Sequence, residues 1–566
     1  MRARIFKLRT RFGLTLFSGL IVGCSKPPTF VPQPYTSKEL LSPGDASPRE
    51  GMTHRQVLEK IFAPQPSCDA GRDLRAPALI RRLTRDEYQN TIRDLFQFTS
   101  DLREFIPADE QVLGFRNNSS LNLVSVDHAV AYSRSAGRIA DQVLDKKWKD
   151  LASCSFEQEG RACIEQFLRD RLLQIWRRPA REEEIQDLLK LYDVGAALSP
   201  REGAKLLIRS LLSAPAFLYR TELGKTGQLD AYEWASALSY FFWASTPDAQ
   251  LLARAADGSL LQDEVLSAEI QRLLTDPKAR DGVKAFAESW LAYSQVLAVN
   301  KDGNKFPDFT SQIRVLLAQE TEDTFDALVR KQGADFKSLM LLDTSLGNEA
   351  LATYYGVPLE KDADGNTLLK FQGQGRRGIW GQASVLASLS YAHETHPIKR
   401  AVFIRQHLLC EELVPPPPTL NIQPPPPREG ASTRERFAAH SSVGACKGCH
   451  VRIDGIGFGI EDFDPIGRQR TVDNGRPVDA SGQAYDIDQQ TQNFQGQAQL
   501  SEILARSTRA QRCFALQWYR MAHGRIEQEA DICAIRELGD RMQSGLSVRD
   551  LMIQTITHPS YRQRRF

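Results

Sequence analysis

Glu182-Glu183-Glu184-Ile185-Gln186-Asp187-Leu188-Leu189-Lys190-Leu191-Tyr192 is the stretch that decides the fold class. Its Ile185, Leu188, Leu189 and Tyr192 stand at i, i+3, i+4 and i+7, the spacing that gathers apolar groups on one face of an α-helix. Pro179, just upstream, stands where the first turn of a helix tolerates proline. Working outward, Thr84-Arg85-Asp86-Glu87 places a hydroxyl and a carboxylate three residues apart, the capping-box signature of a helix start. Leu83, Ile92, Leu95 and Phe96 fall near one face of that helix. The aromatic run from Tyr232 to Trp243 reads as core. Strand-like alternation is scarce, which excludes a parallel α/β sheet. The expected fold is mainly α, a multi-domain helical body.

The 566 residues carry 42% hydrophobic and 25% charged side chains, values of a globular protein rather than a disordered or collagen-like one. At roughly 100–200 residues per domain, that length suggests three or four domains. Seventy-two basic residues against 70 acidic ones leave a net charge of +2, without the basic face that nucleic-acid binding requires. The N-terminus is different in kind. Arg2, Arg4, Lys7, Arg9 and Arg11 precede an apolar run from Phe12 to Val22. That run is short for a membrane span and suits the core of a signal peptide. It ends Ile21-Val22-Gly23-Cys24, which resembles a bacterial lipobox and makes Cys24 the expected lipidation site. Ser25 follows where an inner-membrane retention signal would place Asp, so the expected location is the outer membrane, on its periplasmic or surface face. The Pro- and Ser-rich sequence after it reads as a flexible tether.

Cys446-Lys447-Gly448-Cys449-His450 is a C-x-x-C-H, the attachment pattern of haem c. Two thiols, Cys446 and Cys449, add across the two haem vinyl groups, and the adjacent imidazole of His450 reaches the iron as proximal ligand. Two other readings use the same residues: a Cys₂His₂ zinc set completed by His440, and a redox disulfide between the two cysteines. Candidate distal ligands are Met521 and His523 downstream and His396 and His440 upstream; an open sixth position would suit catalysis or sensing rather than electron transfer. The remaining cysteines, at 68, 154, 163, 410, 513 and 533, allow 15 pairings. Local closure favours Cys154–Cys163 and Cys513–Cys533, which leaves Cys68–Cys410. The proline runs at 415–418 and 424–427 favour polyproline II and read as a stiff connector into the C-x-x-C-H segment.

Several phrases together carry a resemblance. Leu79 to Tyr88 (LIRRLTRDEY), Asn90 to Leu95 (NTIRDL), Trp176-Arg177-Arg178-Pro179, Leu238 to Trp243 (LSYFFW), the C-x-x-C-H, Gly457 to Asp464 (GFGIEDFD) and Tyr519 to Arg525 (YRMAHGR) occur in that order. The ordered set resembles the planctomycete-type surface proteins of unknown function that include a planctomycete cytochrome C domain. The resemblance implies an exported protein with a haem-c site. Together with the signal peptide 1–24 and tether 25–74 read above, it implies a segmentation into helical domains 75–145, 150–225 and 228–358, a cytochrome C-type domain 370–482, and a C-terminal helical domain 493–566. Two departures stand out. The family pattern often follows C-x-x-C-H with Met-Asp-Pro, whereas this chain has Ile453-Asp454-Gly455, and Ile453 cannot ligate iron. His396 occupies a position where a small hydroxyl residue is usual.

Other patterns read as bland. Gly373-Gln374-Gly375-Arg376-Arg377-Gly378 matches G-x-G-x-x-G but lacks the strand–turn–helix setting of a dinucleotide site. Asp362-Ala363-Asp364-Gly365-Asn366 is similar to part of a calcium loop, with Gly373 where the bidentate acid belongs. Asp462, Asp464, Asp473 and Asp479 read as a solvated acidic loop, and Glu320, Glu322 and Glu182 to Glu184 as surface carboxylates. Three functions follow as expectations. The first is electron transfer through one covalent haem, with a redox partner protein and a membrane tether. The second is a haem-dependent oxidoreductase acting on an extracellular substrate. The third is a surface binding or structural lipoprotein without haem.

Overall fold

Local signals start the helices where the sequence places them. In the computed structural model, Thr84 Oγ1 accepts from Glu87 N at 3.2 Å while Glu87 Oε2 accepts from Thr84 N at 2.8 Å. The helix so capped, Arg85–Phe96, buries Tyr88, Ile92, Leu95 and Phe96. Helix Glu182–Ala196 buries Ile185, Leu188, Leu189 and Tyr192 against helix Pro200–Ser213. A Cβ on Gly203 would stand 2.7 Å from the Tyr192 ring, so only glycine permits that approach. Pro179 lies before this helix rather than in its first turn, because Arg181 is the N-cap.

The structure describes residues 52–64, 75–331, 333–413, 425–426, 428–441 and 444–565, without the side chains at 439–441, 444–446 and 449. The signal segment, Cys24 and Cys68 therefore lie outside the described residues, as does most of the proline connector. Met52–Phe566 forms one contact unit. Among the described residues no helix is long and apolar enough to cross a membrane.

The fold is mainly α. Strands are short and make two-stranded ladders plus one three-stranded sheet. The pair of Ala76–Pro77 with Arg564–Arg565 is parallel, Ala76 opposite Arg564; the others are antiparallel. Two apolar cores result. One is built from Leu83 to Tyr240, around Tyr88, Tyr132, Phe167 and Leu207. The other draws on residues as far apart as Val57 and Tyr561, with Trp234, Phe286, Trp290, Phe514 and Trp518 at its centre. Phe286 and Trp518 stack with ring centroids 3.6 Å apart. The second core takes side chains from each of the expected segments 228–358, 370–482 and 493–566, so these segments share one interior.

Two expectations need correction. Residues 25–74 are not tether throughout: His54–Phe62 is a helix with a capping box at Thr53, and Val57, Leu58 and Ile61 are buried in the main core. Arg536 fixes its end by donating to the carbonyls of Lys60, Ile61 and Ala63. The cysteine pairing also differs. Cys154–Cys163 is formed, but Cys410 bonds Cys513, so neither Cys513–Cys533 nor Cys68–Cys410 exists. Cys533 is disulfide-bonded elsewhere. Local closure favoured the nearer partner, whereas packing sets Cys410 and Cys513 at a Cα–Cα distance of 5.4 Å across 103 residues.

Candidate functional site

The C-x-x-C-H opens helix Gly444–Phe458. Positions 446, 449 and 450 are related as i, i+3 and i+4, so the backbone sets both cysteines and the histidine on one helical face. His450 Nδ1 lies 2.7 Å from Asp454 Oδ1, one turn onward. Both side chains are 18% exposed, a partly dry setting that shields the pair from solvent. A histidine that binds metal through Nε2 needs its proton on Nδ1, and a carboxylate there holds that tautomer and raises the basicity of the ligand. The donor set thus fits haem c: Cys446 and Cys449 would hold the ring, His450 the iron, and Asp454 the imidazole.

The helix is seated through its glycine-rich second half. A Cβ on Gly455 would stand 2.5 Å from the Gln483 carbonyl oxygen, and one on Gly457 would stand 2.4 Å from that of Pro397. These close approaches pack the helix against strand Ser481–Ile487 and helix Pro397–Phe403. Buried arginines then pin the turn beyond the helix. Arg400, fully buried, donates to the carbonyls of Ile460 (3.1 Å), Phe463 (2.8 Å) and Asp464 (2.9 Å) and to Ser390 Oγ (3.0 Å). Burial holds its guanidinium down to about 10. Arg405 donates to Arg452 O at 2.9 Å, to Tyr485 O at 2.5 Å and to Glu411 at 2.8 Å. Arg376 reaches the carbonyls of Gly381 and Gly467 from beneath the Tyr355, Phe371 and Phe463 rings. Glu461 completes the clamp, accepting from Thr395 Oγ1 at 2.6 Å and Arg470 at 2.7 Å.

Of the acidic cluster beside the motif, Asp479 is solvent-exposed as expected, whereas Asp462, Asp464 and Asp473 are not. Asp462 is largely buried, and burial pushes its carboxyl up to about 6. Asp464 accepts from Ile466 N and Arg468 N within its own turn. Asp473 pairs with Arg470 and Asp479 with Arg434. Among the described residues no cluster of three or more His, Cys, Asp or Glu could hold a metal ion. Glu320 also departs from its reading as a surface carboxylate. It is 2% exposed, accepts from Ser345 Oγ (2.5 Å) and Tyr355 OH (2.6 Å), and burial pushes it up to about 7. The G-x-G-x-x-G is a turn that feeds Arg376 into the core. Asp362 closes a turn between strands Leu359–Lys361 and Thr367–Lys370.

The distal candidates separate clearly. His396 caps helix Pro397–Phe403, stacks on Tyr391 at 4.4 Å and lies 5.8 Å from Phe437, on the helix just before the motif. Burial, with Lys399 and Arg400, pushes its pKa down to about 4, so the ring is neutral at neutral pH and able to ligate. His440 ends that preceding helix, Thr433–Ser441, with its side chain outside the described residues. Met521 and His523 point elsewhere: Met521 Sδ is 3.5 Å from Asn117 Nδ2, and the buried His523 ring stacks on Tyr519 at 3.8 Å and lies 5.0 Å from Tyr561. None of these neighbours belongs to the motif helix. Sequence reasoning passed over Asp454 and the arginines. An acid four residues after the histidine was the legible signal for the first, since i and i+4 share a helical face.

Five family models match the chain in succession, each described as a protein of unknown function: residues 81–145 (DUF1587), 163–222 (DUF1595), 229–357 (DUF1592), 376–473 (DUF1588) and 490–561 (DUF1585). The model at 376–473 bears the name PSCyt3 and spans the C-x-x-C-H. No curated protein and no solved structure matches the chain.

Proposed function

This chain carries the planctomycete-type set of five domains of unknown function, and we propose that it is an outer-membrane-anchored, c-type cytochrome-like protein that transfers electrons through one covalent haem. The observation that carries the reading is the pairing of His450 with Asp454 on a helix that opens with C-x-x-C-H. Bound haem c supplies a one-electron carrier. Cys446 and Cys449 would hold it, and His450, with Asp454 at its Nδ1, would supply a nitrogen to the iron. Arg400 and Glu461 fix the turn behind the helix and Arg405 holds the Arg452 carbonyl of the helix itself, so the imidazole is presented by a rigid support. His396 is the distal candidate that the packing favours, being neutral and beside the helix that leads into the motif. Lipidation at Cys24 would tether the body to the membrane, and a single haem implies a redox partner protein.

A second reading, a haem-dependent oxidoreductase acting on an extracellular substrate, draws support from Asp454: an anionic partner makes the imidazole a stronger donor, which suits bond activation at an open sixth position. Carbon monoxide separates the two. A ferrous haem spectrum that carbon monoxide leaves unchanged in the native protein supports transfer, with both axial positions filled. A shifted spectrum supports the oxidoreductase. A protein exported with c-type maturation that shows no haem band overturns both.

A further inference from the structure

The turn that delivers His396 is held from a distant part of the chain. Lys301, between the short helix Tyr293–Leu297 and helix Ser311–Arg330, sends its ammonium to three carbonyls at once: Ala387 at 2.9 Å, Ser390 at 3.0 Å and Tyr391 at 2.8 Å. An ammonium has three N–H donors and no acceptor, so donors and acceptors match in number. Ala387 lies at the C-terminal end of helix Ala383–Ser388, where carbonyls lack helical partners and a cation is favoured. The next residue reinforces the contact, Asp302 N donating to Ala392 O at 2.9 Å. Arg400 adds a second cation to the same turn through Ser390 Oγ at 3.0 Å.

What this brace fixes is the Tyr391 ring. It stacks on His396 with centroids 4.4 Å apart and planes 22° from parallel, and Lys399 Nζ stands 5.1 Å from its centroid. At the other end of the turn, Thr395 Oγ1 donates to Glu461 at 2.6 Å. His396 is thus stacked on a side chain whose own backbone hangs on Lys301. The charged groups around Lys301 come from several elements. Burial lowers its pKa to about 7, with Arg400 and Lys399 acting in the same direction and Asp464 opposing them. Asp302, its neighbour in sequence, is turned onto Asn304 N at 3.0 Å. Above that pH the neutral amine keeps two N–H donors for three carbonyls.

We propose that Lys301 is the positioning residue of the distal side: by holding the Tyr391 backbone it keeps the Tyr391 ring on His396, and its release frees the imidazole. The proposal rests on the haem reading only for what His396 would then ligate; the brace itself is tested without haem. The test is nuclear magnetic resonance of the full chain, exported without c-type maturation and labelled at histidine Cε1, with the His396 signal assigned by its loss in His396→Gln. Stacking moves that signal upfield. Lys301→Met keeps the apolar stem and removes the donors, and is expected to lower the ratio of stacked to unstacked His396 about three- to tenfold. Tyr391→Leu should abolish the upfield shift, whereas Tyr391→Phe, which keeps the ring, should retain it. In the wild type the shift should decline as pH rises through about 7, a range in which His396, with its pKa at about 4, stays neutral. In Lys301→Met the profile should be flat, a difference that a general loss of stability would not produce. If Lys301→Met misfolds, the wild-type profile and the two Tyr391 variants decide. A His396 signal unchanged in Lys301→Met, a flat wild-type profile, or equal signals in Tyr391→Phe and Tyr391→Leu would each overturn the proposal. Haem content, measured separately on the chain exported with maturation, tests the haem reading, and its failure would leave the stacking result standing.

Discussion

His450 Nδ1 lies 2.7 Å from Asp454 Oδ1, across one turn of the helix that carries the C-x-x-C-H. A carboxylate at that nitrogen raises the electron donation of the imidazole and stabilises the more positive, oxidised metal. Asp454→Asn keeps the shape and removes the charge. Its expected effect is a higher reduction potential, by about tenfold in the reduction equilibrium or ~59 mV for one electron, measured by spectroelectrochemistry on the haem-loaded protein. A potential unchanged within error would show that Asp454 does not support the proximal ligand.

Arg400 has no solvent-exposed side-chain surface and binds three carbonyls and a hydroxyl around the turn beyond the motif helix. Replacing one partner of a buried polar network strands the others, at about 3–5 kcal/mol. Arg400→Met is expected to lower stability by that amount in urea unfolding. Arg400→Lys should lose most of it too, since one ammonium cannot reproduce a planar fork directed at four acceptors.

Glu320 gives a pH signature of defined sign. Burial raises its carboxyl from 4.5 to about 7 in the folded protein. Between those values the unfolded chain binds fewer protons than the folded one, so stability falls as pH rises from about 4.5 to about 7 and then levels off. By linkage the fall from this group is on the order of 3 kcal/mol. Asp462, raised from 3.8 to about 6, acts in the same direction at slightly lower pH. Urea midpoints measured against pH should therefore decline more shallowly in Glu320→Gln than in the wild type. An identical slope would mean that Glu320 titrates normally.

The bridge between Cys410 and Cys513 closes a loop of sequence separation 103 and joins the chain just before the proline connector to the C-terminal helices. Cys410→Ala with Cys513→Ala is expected to cost about 2–5 kcal/mol. Non-reducing peptide mapping of the wild type should recover a Cys410–Cys513 peptide and no Cys513–Cys533 peptide.

Periodic apolar positions and capping residues were sufficient for the mainly α class, because a helix start and a helix face are local properties. Thr84 with Glu87, and Ile185 with Leu188, Leu189 and Tyr192, show this. The relations that sequence did not show are non-local. Cys410 finds Cys513 because two distant helical segments pack together, a relation with no trace in spacing. Glu320 looks like a surface carboxylate until Ser345 and Tyr355 are brought over it. His54–Phe62 was masked by its Pro- and Ser-rich surroundings, although Val57, Leu58 and Ile61 already marked one face. At the site, the C-x-x-C-H was fully legible. Its support was not, since Arg376, Arg400 and Arg405 act through backbone carbonyls, which carry no sequence signature.

The most direct measurement is a pyridine haemochrome spectrum with intact mass, on the chain exported in a host with c-type maturation and on its Cys446→Ala/Cys449→Ala variant. The account predicts a c-type band and the added mass of one haem in the wild type, and neither in the variant. A wild-type protein without the band or the added mass, exported alongside a control cytochrome that the same host matures, would contradict it.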